Sequence, residues 1–243
     1  MELYSFGSVW SVLLRDPVKP SVESPEYPPE LARLPPGRHG LPREFVSRNQ
    51  RERLIAGLAE AVAENGYSGT TIAHITRHAA VSRRTFYEHF NSKDECFVAA
   101  YDTVMTELNR RVGEAFEQEE EWPQAMRAGL EAMLEFLISE PHLARLSMVE
   151  ALVAGPVVIE RYDAAIQSLL PYFEAGRKGR SADVLAGLSS TTEEALVGGI
   201  VSLISRRIFA DRTEELEALL PDLVEFALTP YLGSTEAAKV ARA

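Results

Sequence analysis

From Ser47 onward the apolar residues recur three and four positions apart, the period of helices with one buried face. Leu54, Ile55, Leu58 and Val62 make the first stripe. Ser47 stands where its N-cap is expected, and Asn65-Gly66 where the helix should stop. Ile72, Ile75 and Ala79 make a second, shorter stripe, capped by Thr70 or Thr71. After a tight break at Ala80-Val81-Ser82, a third short helix is predicted from Ser82 to about His89, with Phe86 and Phe90 turned inward. Ser92 caps a fourth, long helix whose stripe is Phe97, Ala100, Tyr101, Val104 and Leu108. Beyond an acidic bend at 117–121, the pattern predicts helices at 122–139, 141–153, 156–175, 191–210 and 213–229. Pro123, Pro141 and Pro156 fall at the starts of three of them, where a missing N–H does no harm. Residues 176–190, rich in Gly, Ser and basic side chains, read as an exposed loop. No stretch alternates with period two between hairpin turns, so the predicted fold class is all-α.

The segment ahead of Ser47 reads differently. Six prolines lie between Pro25 and Pro42, which excludes a regular helix or a central strand there. Leu3, Phe6, Trp10, Leu13 and Leu14 recur at helical spacing over Met1–Arg15, either as an unpartnered tail or as a short amphipathic helix. The expected organisation is an extension with a Pro-rich arm over 1–44, a three-helix domain over 45–94 and a second helical domain over 95–243. No apolar run is long enough to span a bilayer, and the N-terminus lacks the basic region and cleavage site of a signal peptide. Cys96 is the one cysteine, so an intrachain disulfide and a Cys-rich zinc site are excluded. A cytoplasmic protein is expected.

The net charge of −11 argues on its face against a nucleic-acid binder. Its distribution argues the other way. Residues 1–37 carry a net −2, residues 38–93 a net +4, and residues 94–243 a net −13. The basic block is the one that holds the short helix, the three-residue break and the second short helix, which is helix-turn-helix arithmetic. A whole-chain balance hides a DNA-contacting module of that size.

Thr71-Ile72-Ala73-His74-Ile75, followed by Ala79-Ala80-Val81-Ser82-Arg83-Arg84-Thr85-Phe86-Tyr87-Glu88-His89-Phe90-Asn91-Ser92-Lys93-Asp94-Glu95, closely resembles the DNA-binding domain of the tetracycline-repressor (TetR) family. The resemblance covers about Ser47 to Tyr101. There are departures: Ala80 stands where the family has a turn glycine, Arg84 where it has a small residue, and Glu88 where a neutral or aromatic residue is common. If the Ala80 position needs a positive φ, alanine costs about 1–2 kcal/mol there. The resemblance implies that Ser82, Arg83, Arg84 and Thr85 open a recognition helix in the major groove, where an arginine can pair with guanine or hold a phosphate instead. It also implies that Thr71, Tyr87, His89 and Lys93 hold the DNA backbone, although Tyr87 and His89 can equally be packing residues. Arg48, with its neighbouring arginines, is a candidate for phosphate or minor-groove contact, or for a merely solvated face.

His74 and His78 have a metal-ligand spacing, but without the glutamate of a His-Glu-x-x-His site and in a positive local field; no metal and no cofactor are expected. Phosphate-binding and nucleophile-elbow motifs are missing from the sequence, so no enzyme is expected. In the acidic half, the helices over 122–175 hold more apolar residues than one face needs. Met126, Leu130, Met133 and Leu137, with Val149 and Ile166, are candidates to enclose an apolar small-molecule effector, or to fill a core. Arg145, Glu150 and Tyr162 are the polar groups best able to orient it. For a homodimer, the stripes on the last helix pair are the candidates, with Gly199, Leu203, Leu219, Leu223 and Phe226 at the interface; they can also be internal core. The expected partners are double-stranded operator DNA, the effector and a second copy, with no membrane. The expected function is a transcriptional regulator, a repressor by preference, on a near-palindromic operator. Two alternatives remain open at this point: an all-α binding protein or enzyme without a DNA role, and a DNA-binding regulator without an effector.

Overall fold

A computed structural model of the protein describes residues 42–243, and every described element is helical. The expected amphipathic segment over Met1–Arg15 and most of the Pro-rich arm lie outside the described residues.

The first helix, α1, spans Arg43–Gly69. It begins four residues before Ser47, directly after Pro42, whose carbonyl accepts the first backbone bond from Val46 N at 3.1 Å. A proline stops a helix from extending backward, whereas an exposed serine does not require one to start. At Gly66 the backbone leaves the helix with φ +67°, the stop that Asn65-Gly66 predicts. α2 (Ile72–Ala79) is capped by Thr71, whose Oγ1 accepts from His74 N at 3.3 Å. α3 (Arg83–His89) is capped by Ser82, whose Oγ accepts from Thr85 N at 3.0 Å. α4 (Lys93–Glu117) is capped by Ser92, accepting from Glu95 N at 3.1 Å. Leu54, Ile55, Leu58, Ile75, Phe86 and Phe97 are fully enclosed where these helices meet.

The acidic half follows with α5 (Trp122–Ser139), α6 (Pro141–Met148) and α7 (Pro156–Glu174). The helix expected over 141–153 ends at Met148, and Glu150–Val153 is a tighter 3-10 turn. The segment expected to be a loop holds a short helix, α8 (Ala182–Gly187), capped by Ser181 and with no buried residue, which is why no apolar stripe announces it. α9 spans Thr192–Phe209. The helix expected from 213 is two 3-10 turns, and the regular helix α10 starts only at Leu220, where Pro221 suits a first turn. A last helix, α11 (Ser234–Ala241), buries only small residues such as Ala237 and Ala241, too weak a stripe to read from sequence.

α4 runs unbroken from the three-helix block into the acidic bundle, so the boundary expected at 94/95 falls inside its first turn. Among the described residues, no helix is long and apolar enough to cross a membrane.

Candidate functional site

The turn between α2 and α3 decides how α3 is presented. Ala80 sits in the left-handed region, φ 49° and ψ 46°, so its N–H reaches Arg77 O at 3.2 Å and Val81 N reaches Thr76 O at 3.1 Å. Arg53 Nη2 donates to Ala80 O at 2.8 Å and ties the turn to α1. An L side chain in this region costs about 1–2 kcal/mol, which glycine avoids. Ala80→Gly is therefore expected to stabilise the protein by about 0.5–1 kcal/mol, read as a raised urea midpoint at unchanged slope; a lower midpoint contradicts the strain argument.

Below the turn, Gly57 lets α1 and α2 touch: a Cβ there would lie 2.6 Å from Ala79 N and 2.8 Å from Ile75 O. No periodicity marks this glycine in the sequence.

α3 buries Phe86 and leaves the opposite face open. Ser82, Arg83 and Arg84 are exposed, Thr85 is half-buried, and the Tyr87 ring is 52% exposed while leaning edge-on against Phe86. Arg84 Nε donates to Glu88 Oε1 at 3.0 Å across one turn. Thr71 and Arg48 are exposed on the neighbouring elements. His89 is half-buried beside Gln50, and burial holds its imidazole below the ordinary range, against the opposing pull of Glu88.

Lys93 is placed differently from a free surface lysine. Its Nζ donates to Tyr67 O at 2.8 Å and Thr70 O at 3.1 Å, and lies 4.0 Å from the centre of the Tyr67 ring. It closes the C-terminal end of α1, with Tyr67 also bonded to Asp94.

His78 bridges Glu60 (2.8 Å) and Glu64 (3.1 Å) on α1, and among the described residues no group of three or more metal-ligating side chains comes together. Cys96 is fully enclosed, and burial pushes its thiol far up from its ordinary value.

In the acidic bundle two narrow crevices adjoin across Met133, Leu169 and Val201. The first encloses about 400 Å³ including its opening, and Met126, Leu130 and Tyr172 are among its walls. The second encloses about 450 Å³ including its opening, and holds Tyr162 and Ile166 with Tyr101 and Asn109. Three expected effector residues line neither. Leu137 is sealed in the core with no exposure, because α5 turns it inward. Val149 packs against the core at the end of α6. Arg145 points outward to Asp211 (2.9 Å) and Glu150 (3.5 Å). Glu150 also looks away from the crevices: its Oε2 accepts from Tyr67 N at 2.8 Å, the N–H that the Gly66 kink leaves without a helical partner. Tyr101, Asn109, Leu169 and Tyr172 were not singled out from the sequence as crevice walls, since helical periodicity does not separate a cavity wall from a filled core.

On α9 and α10, Leu203 is 36% and Phe226 44% exposed, side by side with Gly199. The Phe226 ring fills the space over Gly199, where a Cβ would meet it at 3.0 Å, so this close approach lies within one subunit. Leu219 is half-buried against the core. Leu223 is fully enclosed by its own subunit and has no surface left to offer a second copy.

Residues 54–100 match the family of bacterial regulatory proteins described as the tetR family. The nucleoid occlusion factor SlmA of Vibrio cholerae is 29% identical over 106 residues, 43% of this chain and 54% of that protein, so the match spans about half of that relative. The SlmA of Sodalis glossinidius is 26% identical over 192 residues, 75% of this chain and 96% of that one. The fold is shared with the transcriptional regulator FadR from Bacillus subtilis, solved in complex with stearoyl-CoA, at TM-score 0.61 and 16% identity over 74% of this chain and 97% of that one. Residues 54–100 thus carry the helix-turn-helix block of the tetR family of bacterial regulatory proteins, and the helical bundle behind it shares its fold with a transcriptional regulator.

Proposed function

We propose that this transcriptional regulator is a cytoplasmic repressor that binds a near-palindromic operator as a homodimer and is released by a small apolar effector. The observation that carries the DNA reading is the open face of α3, where Ser82, Arg83 and Arg84 stand clear of a helix anchored by Phe86. Such a helix enters the major groove with its first turn leading, one per subunit, at half-sites roughly 34–36 Å apart. Arg83 and Arg84 read base edges; Ser82, Thr71, Tyr87, His89 and Arg48 lie along phosphates. Lys93 has three N–H donors, two of them committed to carbonyls, and the third is available to a phosphate. The Arg84–Glu88 pair is solvent-exposed and holds the arginine by only about 0.2–0.5 kcal/mol, so guanine outcompetes it.

Selection of bound fragments from random DNA tests this directly. Wild type is expected to yield a near-palindrome. Arg84→Ala should lose one preferred base symmetrically in both half-sites, at a cost of about 1–3 kcal/mol on the cognate site. Identical logos for the two proteins would reduce Arg84 to a phosphate contact.

The effector reading rests on the paired apolar crevices, whose methionine walls adapt to a guest. The stearoyl-CoA complex of the Bacillus subtilis FadR supports a long-chain guest in this fold. A second reading, DNA binding with no effector, draws on the nucleoid occlusion factor that aligns over nearly its full length. Loss of operator binding on addition of an apolar ligand separates the two.

A further inference from the structure

The two crevices differ in chemistry. The first is walled almost wholly by hydrocarbon, whereas in the second a set of uncharged polar groups gathers: Tyr101, Asn109, Ser147 and Tyr162. Ser147 Oγ is spent on Leu143 O at 2.8 Å. The others are not spent in that way. Tyr101 is only 2% exposed as a residue, lines the crevice, and spends its hydroxyl on no carbonyl or carboxylate. Asn109, about two turns further along α4, likewise lines the crevice without a bonded partner. The Tyr162 hydroxyl leans toward Ser205, whose buried Oγ itself lacks a partner of proper geometry. Hydroxyl and amide groups that open on one narrow space, rather than on a neighbour's carbonyl, are ready-made partners for a polar group placed in it.

The sign of that something follows from what is missing. No lysine, arginine or histidine lines the second crevice. Burial, with Tyr162 and Asp102 adding to it, holds the Tyr101 phenol protonated far above its ordinary range, and burial raises Tyr162 as well. Both are therefore donors at neutral pH. A carboxylate placed there would be desolvated with no cation to compensate, whereas a neutral acceptor gains hydrogen bonds and loses little.

We propose that the second crevice is the polar subsite of the effector channel, and that it takes the uncharged hydrogen-bond-accepting group of a chain-like amphiphile, an ester, thioester or ketone, from Tyr101 and Tyr162. The hydrocarbon tail then lies past Met133, Leu169 and Val201 in the first crevice. This rests on the effector reading above and adds the class of its head group.

The test uses the full chain and N-phenyl-1-naphthylamine, an uncharged fluorescent probe of apolar space, displaced by methyl decanoate or by decanoate at pH 8. The ester is expected to displace the probe more tightly than the carboxylate. Tyr101→Phe and Tyr162→Phe, each missing only a hydroxyl, should weaken the ester by about 3–10-fold while leaving probe affinity unchanged. Either variant suffices if the other melts early. Unchanged ester affinity in the variants, or tighter binding of decanoate than of its ester, overturns the subsite while leaving the apolar channel in place. Failure of the probe to bind wild type overturns the effector reading itself, and the subsite with it.

Discussion

Gly57→Ala is expected to unfold the DNA-binding block or leave it barely stable, at a cost of about 3 kcal/mol. The added methyl would sit 2.6 Å from Ala79 N and 2.8 Å from Ile75 O, and both are backbone atoms of α2. No rotamer change relieves that clash; the two helices must part. Ile75 and Ala79 form the inner face of α2, and the turn at Ala80 that launches α3 follows directly, so operator binding should fail together with stability. Gly187→Ala is the control, because nothing lies within 4 Å of a Cβ at that position. Urea unfolding of both variants decides the matter: equal midpoints would mean that α1 and α2 do not rely on this contact.

That glycine illustrates what the sequence can and cannot reveal. The caps Thr71, Ser82 and Ser92 were legible because capping is a local bond between a side chain and an N–H three residues on. The positive φ at Ala80 was legible as a conditional, from the conflict between an alanine and a position where related turns carry glycine. Helices with a broad stripe, such as Trp122–Ser139 and Thr192–Phe209, were placed almost to the residue. Ser234–Ala241 was missed because alanines carry its buried face, and Ala182–Gly187 because nothing in it is buried. Gly57 is different in kind. Its role belongs to a crossing between two helices, and no window along one helix contains that information. The same holds for Arg145 and Glu150: both are polar groups in an apolar stretch, and only the fold shows Glu150 answering the N–H of Tyr67 while Arg145 turns to Asp211.

Replacing Leu203 and Phe226 together by glutamate should yield monomers and lower operator affinity by about 100-fold or more, since each half-site would then be bound without its tethered twin. Both side chains are substantially exposed in one subunit, 36% and 44%, so the pair can be charged without opening the core. Four carboxylates facing one another across a two-fold axis, two from each copy, would oppose reassociation. Sedimentation gives the mass and a gel-shift titration the affinity. A dimer mass retained by the double variant would move the interface to another surface, where the exposed apolar cluster Leu152, Val153, Val157 and Ile159 is the next to examine.

α4 connects everything described above, and its length has a mechanical meaning. Its 25 residues make a rod about 37 Å long at 1.5 Å per residue. At one end Lys93 grips the last carbonyls of α1, next to the recognition helix; toward the other, Val112 and Phe116 wall the first crevice. A rod of that span acts as a lever. A tilt of about 5° moves its far end by about 3 Å, close to the 3.4 Å step between neighbouring bases on one strand. Under the proposed function, a guest that tilted this rod by that amount would shift each reading head by roughly one letter of its text, and two heads shifted by symmetry would no longer match one operator.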